Sequence, residues 1–243
     1  PANPQPRLIR QAAAILRSGG VIAYPTDSSY ALGCHIGDAA AARRIRQIRG
    51  VDDGHHLTLV LRDLSEIGHF AKVDNRQFRI VRQGTPGTFT FLLPATREVP
   101  RRLQHPKRST VGVRVPDHAV VQALLAELGE PILSSTLILP GAVEPLNNAD
   151  AIRDALGRVI DLVIDAGACA AAPTTVVDLA VERGGNAELA KAGEVVEHNG
   201  VRIMGKLNLP GAVPVKPTVM TPSARARPAG TSTDIPMAGK TSG

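Results

Sequence analysis

The chain of 243 residues is 43% hydrophobic, enough to bury a real core, and its net charge of +6 favours an anionic partner such as nucleotide, phosphate or RNA. Aromatics are scarce: two Tyr, four Phe and no Trp. None lies beyond Phe91, which argues against a single-strand binder that stacks bases but leaves duplex or folded RNA, read by charge and shape.

No apolar run approaches the roughly 20 residues of a bilayer span. Pro1-Ala2-Asn3-Pro4 lacks a signal-peptide pattern, so no membrane contact and a cytoplasmic location are expected. Cys34 and Cys169 stand in no Cys-x-x-Cys or Cys/His spacing; buried free thiols and no metal site built from side chains are expected.

Helical spacing of Leu8, Ile9, Ala12, Ile15 and Leu16 predicts a helix over 6–18, stopped by Gly19-Gly20. A strand over Val21–Tyr24 follows. Pro25 ends it, and Thr26, Asp27, Ser28 and Ser29 place four short polar side chains in a row, so Pro25–Gly33 reads as a strand-to-loop turn. Two readings stand there: a ligand-binding loop, or hydroxyls that satisfy their own backbone.

Asp38 can cap a helix over Ala39–Ile48, and Leu57–Leu61 reads as a buried strand. Asp63 can cap a short helix, and Asp74 one that carries Arg76, Arg79 and Arg82 on one face. Gly84-Thr85-Pro86-Gly87 is a turn before a strand over Thr88–Leu93. Arg97, Arg101, Arg102, Lys107 and Arg108 make the next stretch a basic loop.

Val111–Val115 is a strand with Arg114 among apolar residues, and Pro116-Asp117 opens a helix through Leu128. A cation inside a strand is costly unless an anion or hydrogen-bond partner meets it, which makes Arg114 a stronger ligand candidate than the surface arginines. The apolar run Ile132–Leu139 is interrupted by Ser134-Ser135-Thr136, either a polar pocket edge or internally satisfied hydroxyls. A short helix over 148–156, a strand at Leu162–Ile164 and a loop and strand over Pro173–Asp178 complete an alternating pattern, so the class is α/β.

Tyr24–Gly33, Pro86–Thr90, Val113–His118, Leu133–Leu139 and Pro173–Asp178 resemble, in order and spacing, the YrdC-like domain family over about residues 6–180. Pro-Thr-Asp-Ser-Ser-Tyr-Ala-Leu-Gly, Asp53-Gly54-His55, Val99-Pro100-Arg101-Arg102 and Ser135–Gly141 are most similar to its YciO branch. The resemblance implies a twisted α/β sheet around a large, positively charged concave pocket. It also implies synthesis of L-threonylcarbamoyladenylate from threonine, bicarbonate and ATP (with Mg), releasing pyrophosphate, for tRNA modification.

Carried over to this chain, Thr26, Asp27, Arg114 and Thr174 would hold threonine, and Arg49, Gly87, Ser134 and Thr136 the nucleotide. Hydroxyl and cationic donors preorganised around developing phosphate charge are what adenylyl transfer requires. Synthases of the family carry Lys-x-Arg after the second helix and a later Ser-x-Asn. Here those slots read Arg49-Gly50-Val51 and Thr136-Leu137-Ile138. One lost cation and one lost amide remove charge-assisted bonds that contribute roughly 1.5 to 3 kcal/mol each, which implies reduced activity. Two alternatives are a non-catalytic module holding tRNA or double-stranded RNA through Arg101, Arg102, Lys107 and Arg108, and a folded domain without activity.

Residues 178–210 resemble a fragment of the NAD(P) transhydrogenase alpha subunit without its Gly-rich nucleotide turn, which makes the C-terminus chimeric in character and implies no transhydrogenase activity. The expected division is a YrdC-like domain over 1–180, this fragment over 181–210 and a disordered, proline-rich tail over 211–243. Gly239-Lys240-Thr241 is not expected to be a P-loop, because Asp234 stands where the leading Gly would be.

Overall fold

A computed structural model describes residues 4–52, 55, 57–105, 108–170, 174–180, 195–198 and 201–204. Of the two units into which the chain divides, Pro1–Asn208 and Leu209–Gly243, only the first contains described residues. The tail expected over 211–243 therefore lies outside them.

Helix α1 (Pro6–Arg17) starts on a proline whose fixed φ suits the first turn, and buries Ile9, Ala12, Ala13 and Leu16. Strand β1 (Ile22–Pro25) pairs antiparallel with β2 (Tyr30–His35), Ile22 opposite Gly33 and Pro25 opposite Tyr30. The sequence reading of Pro25–Gly33 as one loop is corrected here: residues 26–29 make the turn and Tyr30–Gly33 is strand. Both faces of β2 are covered, so Ala31 and Gly33 are buried beside Tyr30 and Leu32, and no polar alternation marks the strand.

Helix α2 (Ala39–Arg49) is capped by Asp38, whose Oδ1 accepts from the amides of Ala40 and Ala41 at 2.8 Å, and stops at Gly50 with φ 61°. After β3 (Thr58–Val60), a 3-10 turn at Leu64–Glu66 leads into α3 (Ile67–Phe70). Helix α4 (Asn75–Gln83) opens with a reciprocal capping box between Asp74 and Gln77. Strands β4 (Phe89–Pro94) and β5 (Thr110–Arg114) follow, then α5 (Ala119–Leu128). The cap of α5 is His118, not Pro116-Asp117: its Nδ1 accepts from Val120 N at 3.3 Å.

Strand β6 (Ile132–Thr136), helix α6 (Ala149–Leu156) behind an Asn148 cap, β7 (Leu162–Val163) and β8 (Thr175–Asp178) match the expected order. Two further strands, β9 (Val195–His198) and β10 (Val201–Met204), fall in the stretch for which the sequence suggested no element. The described strands form one mixed sheet in the order β7-β1-β2-β6-β3-β5-β4-β8-β10-β9. Pairs β7/β1, β3/β5 and β4/β8 are parallel, and the other neighbours are antiparallel.

Alternation sorts the strand residues onto two faces. Leu32, Leu59, Phe91, Val113 and Leu133 join Ile45 of α2 and Ile152 of α6 in one cluster. Ile22, Tyr24, Ala31, Val60 and Ile132 join Leu16 of α1 and Leu124 of α5 in the other. By the same period, Thr58, Thr90, Arg114, Ser134 and Thr136 lie on the α1/α5 face, beyond its apolar part.

Candidate active site

These polar positions share one recess. Tyr24, Thr26, Ser29 and Ala31 come from the β1–β2 hairpin, Thr58 and Val60 from β3, Thr90 from β4 and Arg114 from β5. Ser134, Ser135 and Thr136 of β6 and Thr174 ahead of β8 complete the lining. Its character is many hydroxyls around one guanidinium. Thr26, Arg114, Ser134, Thr136 and Thr174, proposed from four separate stretches of sequence, are thus brought together. Thr58 and Thr90 were missed, although each interrupts an apolar strand as Arg114 does.

The glycine at 33 makes one corner possible. A Cβ there would meet Tyr24 Cε1 at 2.6 Å and Ile132 Cγ2 at 2.8 Å, so only a bare backbone lets the ring lie across β2. Tyr24 then donates to Ser134 Oγ at 2.6 Å, and Ser134 donates to Leu32 O at 3.1 Å. Burial pushes the Tyr24 phenol up to about 12, so it stays a protonated donor at neutral pH. Ser134 accordingly keeps acceptor capacity but no free proton.

The hairpin turn holds itself together. Thr26 Oγ1 donates to Ser29 O at 2.6 Å and accepts from the amides of Ser28 and Ser29 at 3.2 Å. Self-satisfaction of the loop, one of the two readings left open by the sequence, therefore holds for this hydroxyl, while Thr26 still lines the recess.

Arg114 meets the anion that its place in a strand demands: Nη2 pairs with Asp27 Oδ1, and Nε donates to Gly87 O at 3.3 Å. Arg114 is buried and Asp27 partly buried, at 8% and 12% side-chain exposure. Burial works against the Arg114 charge and Asp27 supports it. Asp27 and Gly87 adjoin the recess through Arg114 and are absent from its lining.

Arg49 reaches the margin from the end of α2 and donates from Nη1 to Thr136 O. Its Nε is buried without a partner, and among the described residues no carboxylate pairs with it. Burial lowers its pKa. An anion with several oxygens would satisfy the orphaned donor.

The expected nucleic-acid contacts divide. Arg101 and Arg102 are exposed on a 3-10 turn, Arg102 donating to Gly37 O at 2.8 Å. Arg108 instead grips Asp178 with two bonds of 2.8 and 3.0 Å, so its charge is compensated within the fold. Lys107 lies outside the described residues, as do Asp53 and Gly54. Among the described residues no cluster of three or more His, Cys, Asp or Glu could hold a metal ion. No described helix is long and apolar enough to cross a membrane. Cys34 is a buried free thiol, whereas Cys169 is half-buried.

The cap of α5 gives this region a pH dependence. His118 Nδ1 can accept the Val120 amide only when neutral, and burial lowers its pKa below the ordinary 6.5. Burial, with Arg49 and Arg46 nearby, lowers His55 as well. Below 6.5 the unfolded chain binds protons that the folded chain refuses, so stability is full above that pH and falls as pH drops towards the folded-state values. Urea denaturation from pH 7.5 to 5 is expected to show this slope, and His118→Asn, which keeps a capping oxygen, should reduce it to the share of His55.

Comparison with known proteins bears on the chemistry. A Sua5/YciO/YrdC family model, described as telomere recombination, matches residues 14–193. A second, described as the C-terminal domain of alanine dehydrogenase/PNT, matches residues 172–226, where the sequence resembles a transhydrogenase fragment. The protein YciO of Escherichia coli K12 is 52% identical over 179 residues, 74% of this chain and 87% of that protein. Its crystal structure superposes with a TM-score of 0.71 over 73% of this chain and 86% of that one. A threonylcarbamoyl-AMP synthase of Chromobacterium violaceum is 36% identical over 181 residues, 74% of this chain and 92% of the synthase. Sua5 of P. abyssi, crystallised with L-threonine, is 26% identical with a TM-score of 0.69, over 74% of this chain and 53% of that one.

Proposed function

The chain belongs to the Sua5/YciO/YrdC family, and we propose that it makes threonylcarbamoyl-AMP from threonine, bicarbonate and ATP, with reduced activity, in the cytoplasm and for tRNA modification. The observation that carries this reading is the convergence of Thr26, Ser134, Thr136, Thr174 and Arg114 on one recess. The amino nitrogen of threonine bonds to the bicarbonate carbon with loss of water. The resulting carbamate oxygen then attacks the α-phosphorus of ATP, and pyrophosphate leaves. Arg114 holds the threonine carboxylate, the hydroxyls of Thr26 and Thr174 flank it, and Ser134 and Thr136 line the nucleotide side.

Arg49 serves the phosphates, which would satisfy its orphaned Nε. Val51 and Ile138 offer no second cation and no amide, the reason for reduced turnover. Mg²⁺ arrives as part of MgATP rather than on a protein site. Thermal denaturation with ATP, with and without threonine, tests the reading: ligand at 100 times its Kd stabilises by about 2.7 kcal/mol. A rise of the midpoint with ATP, and a further rise with threonine, is expected; no shift with either contradicts it.

A tRNA or double-stranded RNA module without catalysis is the second reading, favoured by the exposed Arg101 and Arg102. On this reading affinity for tRNA falls steeply with salt, and Arg101→Ala with Arg102→Ala lowers the slope by about two. Unchanged affinity of that double variant argues against it.

A further inference from the structure

Protein groups engage both oxygens of Asp27, one of the residues expected to touch substrate. Oδ1 accepts from Arg114 Nη2, and Oδ2 accepts from the Asp117 amide at 3.1 Å. The recess is lined by Arg114 and not by Asp27. On the reading of the recess given above, we infer that Asp27 is a positioning residue that acts on threonine only through Arg114, aiming the guanidinium from behind.

The turn makes Asp27 a fixed anchor. Thr26 Oγ1 closes residues 26–29 with three bonds of 2.6 to 3.2 Å, so the turn sets the place of the carboxylate. At its other oxygen the Asp117 amide ties that turn to the β5–α5 connection, across 90 positions of sequence. Arg114 is then held by Asp27 on Nη2 and by Gly87 O on Nε. Among the described residues its Nη1 takes no partner, which leaves that nitrogen to present to an acidic group in the recess. A buried cation without a counter-charge is costly, and the pair keeps the guanidinium charged and oriented before substrate arrives.

Calorimetric threonine binding to the full chain with ATP present tests this in a double-mutant cycle, with each variant's thermal midpoint recorded. Asp27→Asn is expected to weaken threonine by about tenfold and Arg114→Gln by about a hundredfold. In the Arg114→Gln background, Asp27→Asn should add less than about twofold, because the group it acts through is gone. The double variant removes both charges, so it leaves no bare ion buried. If Asp27→Asn alone fails to fold, Asp27→Glu replaces it; that side chain keeps the charge but not both bonds, and is expected to give a smaller loss that again vanishes beside Arg114→Gln.

An equal loss in both backgrounds would mean that Asp27 touches threonine itself, and a loss under about twofold in the wild type that it does not aim Arg114; either result overturns the inference and leaves the reading of the recess standing. Threonine affinity unaltered by Arg114→Gln, or no threonine binding by the wild type, overturns that reading and the inference with it.

Discussion

Replacing Arg108 by Ala is expected to lower the unfolding free energy by about 3 kcal/mol, the lower end of the range for breaking a buried pair from one side. Asp178 has 2% side-chain exposure and sits at the end of β8, where both its oxygens receive Arg108. With Arg108 gone, Asp178 keeps the Ala180 amide at 3.0 Å but remains a desolvated anion. Arg108 itself is 25% exposed, so solvent softens the loss. Urea denaturation of Arg108→Ala, Asp178→Asn and the double variant checks this. The double variant should be no less stable than Arg108→Ala, because the bare charge has been removed. A loss under about 0.5 kcal/mol for Arg108→Ala would mark the pair as a weak surface one and return Arg108 to the set of nucleic-acid contacts.

Arg114→Gln is expected to lower kcat/KM for threonine by about a hundredfold, equivalent to about 2.7 kcal/mol of transition-state stabilisation. Glutamine matches part of the length but supplies neither charge nor the planar fork that grips a carboxylate. KM for ATP should stay within about threefold, since the proposed function assigns the phosphates to Arg49 rather than to Arg114. Steady-state kinetics with each substrate varied in turn separates the two. A fall that appears equally in the ATP and threonine terms would place Arg114 on the phosphates or reveal a general loss of structure, and the thermal midpoint distinguishes these.

How far the sequence carried this account depends on distance along the chain. Helices were legible because their starts are written locally: Asp38 and Asp74 lie just before the turns they cap. Arg114 was legible because a cation in an apolar strand needs a reason. Its partner was not, since Asp27 is 87 positions away and its neighbours Thr26 and Ser28 look like loop formers. The partner of Arg108 was hidden in the same way: Arg108 follows Arg101, Arg102 and Lys107 in a basic stretch, while Asp178, which it grips, lies 70 positions on. Strand β2 was hidden by burial on both faces, which lets Ala31 and Gly33 stand where a half-exposed strand would show polar residues. The recess itself follows from register: Gly33 and Thr58 both stand opposite Ser134, a row that no single strand reveals.

The central claim, that this recess joins threonine, bicarbonate and ATP, is tested most directly by incubating the full chain with MgATP, threonine and bicarbonate. Mass spectrometry of the quenched mixture and a pyrophosphate assay read the two products. Threonylcarbamoyl-AMP and pyrophosphate in equal amounts, dependent on all three substrates and strongly reduced in Arg114→Gln, are the predicted result. Neither product, even with the protein at concentrations comparable to its substrates, would contradict it.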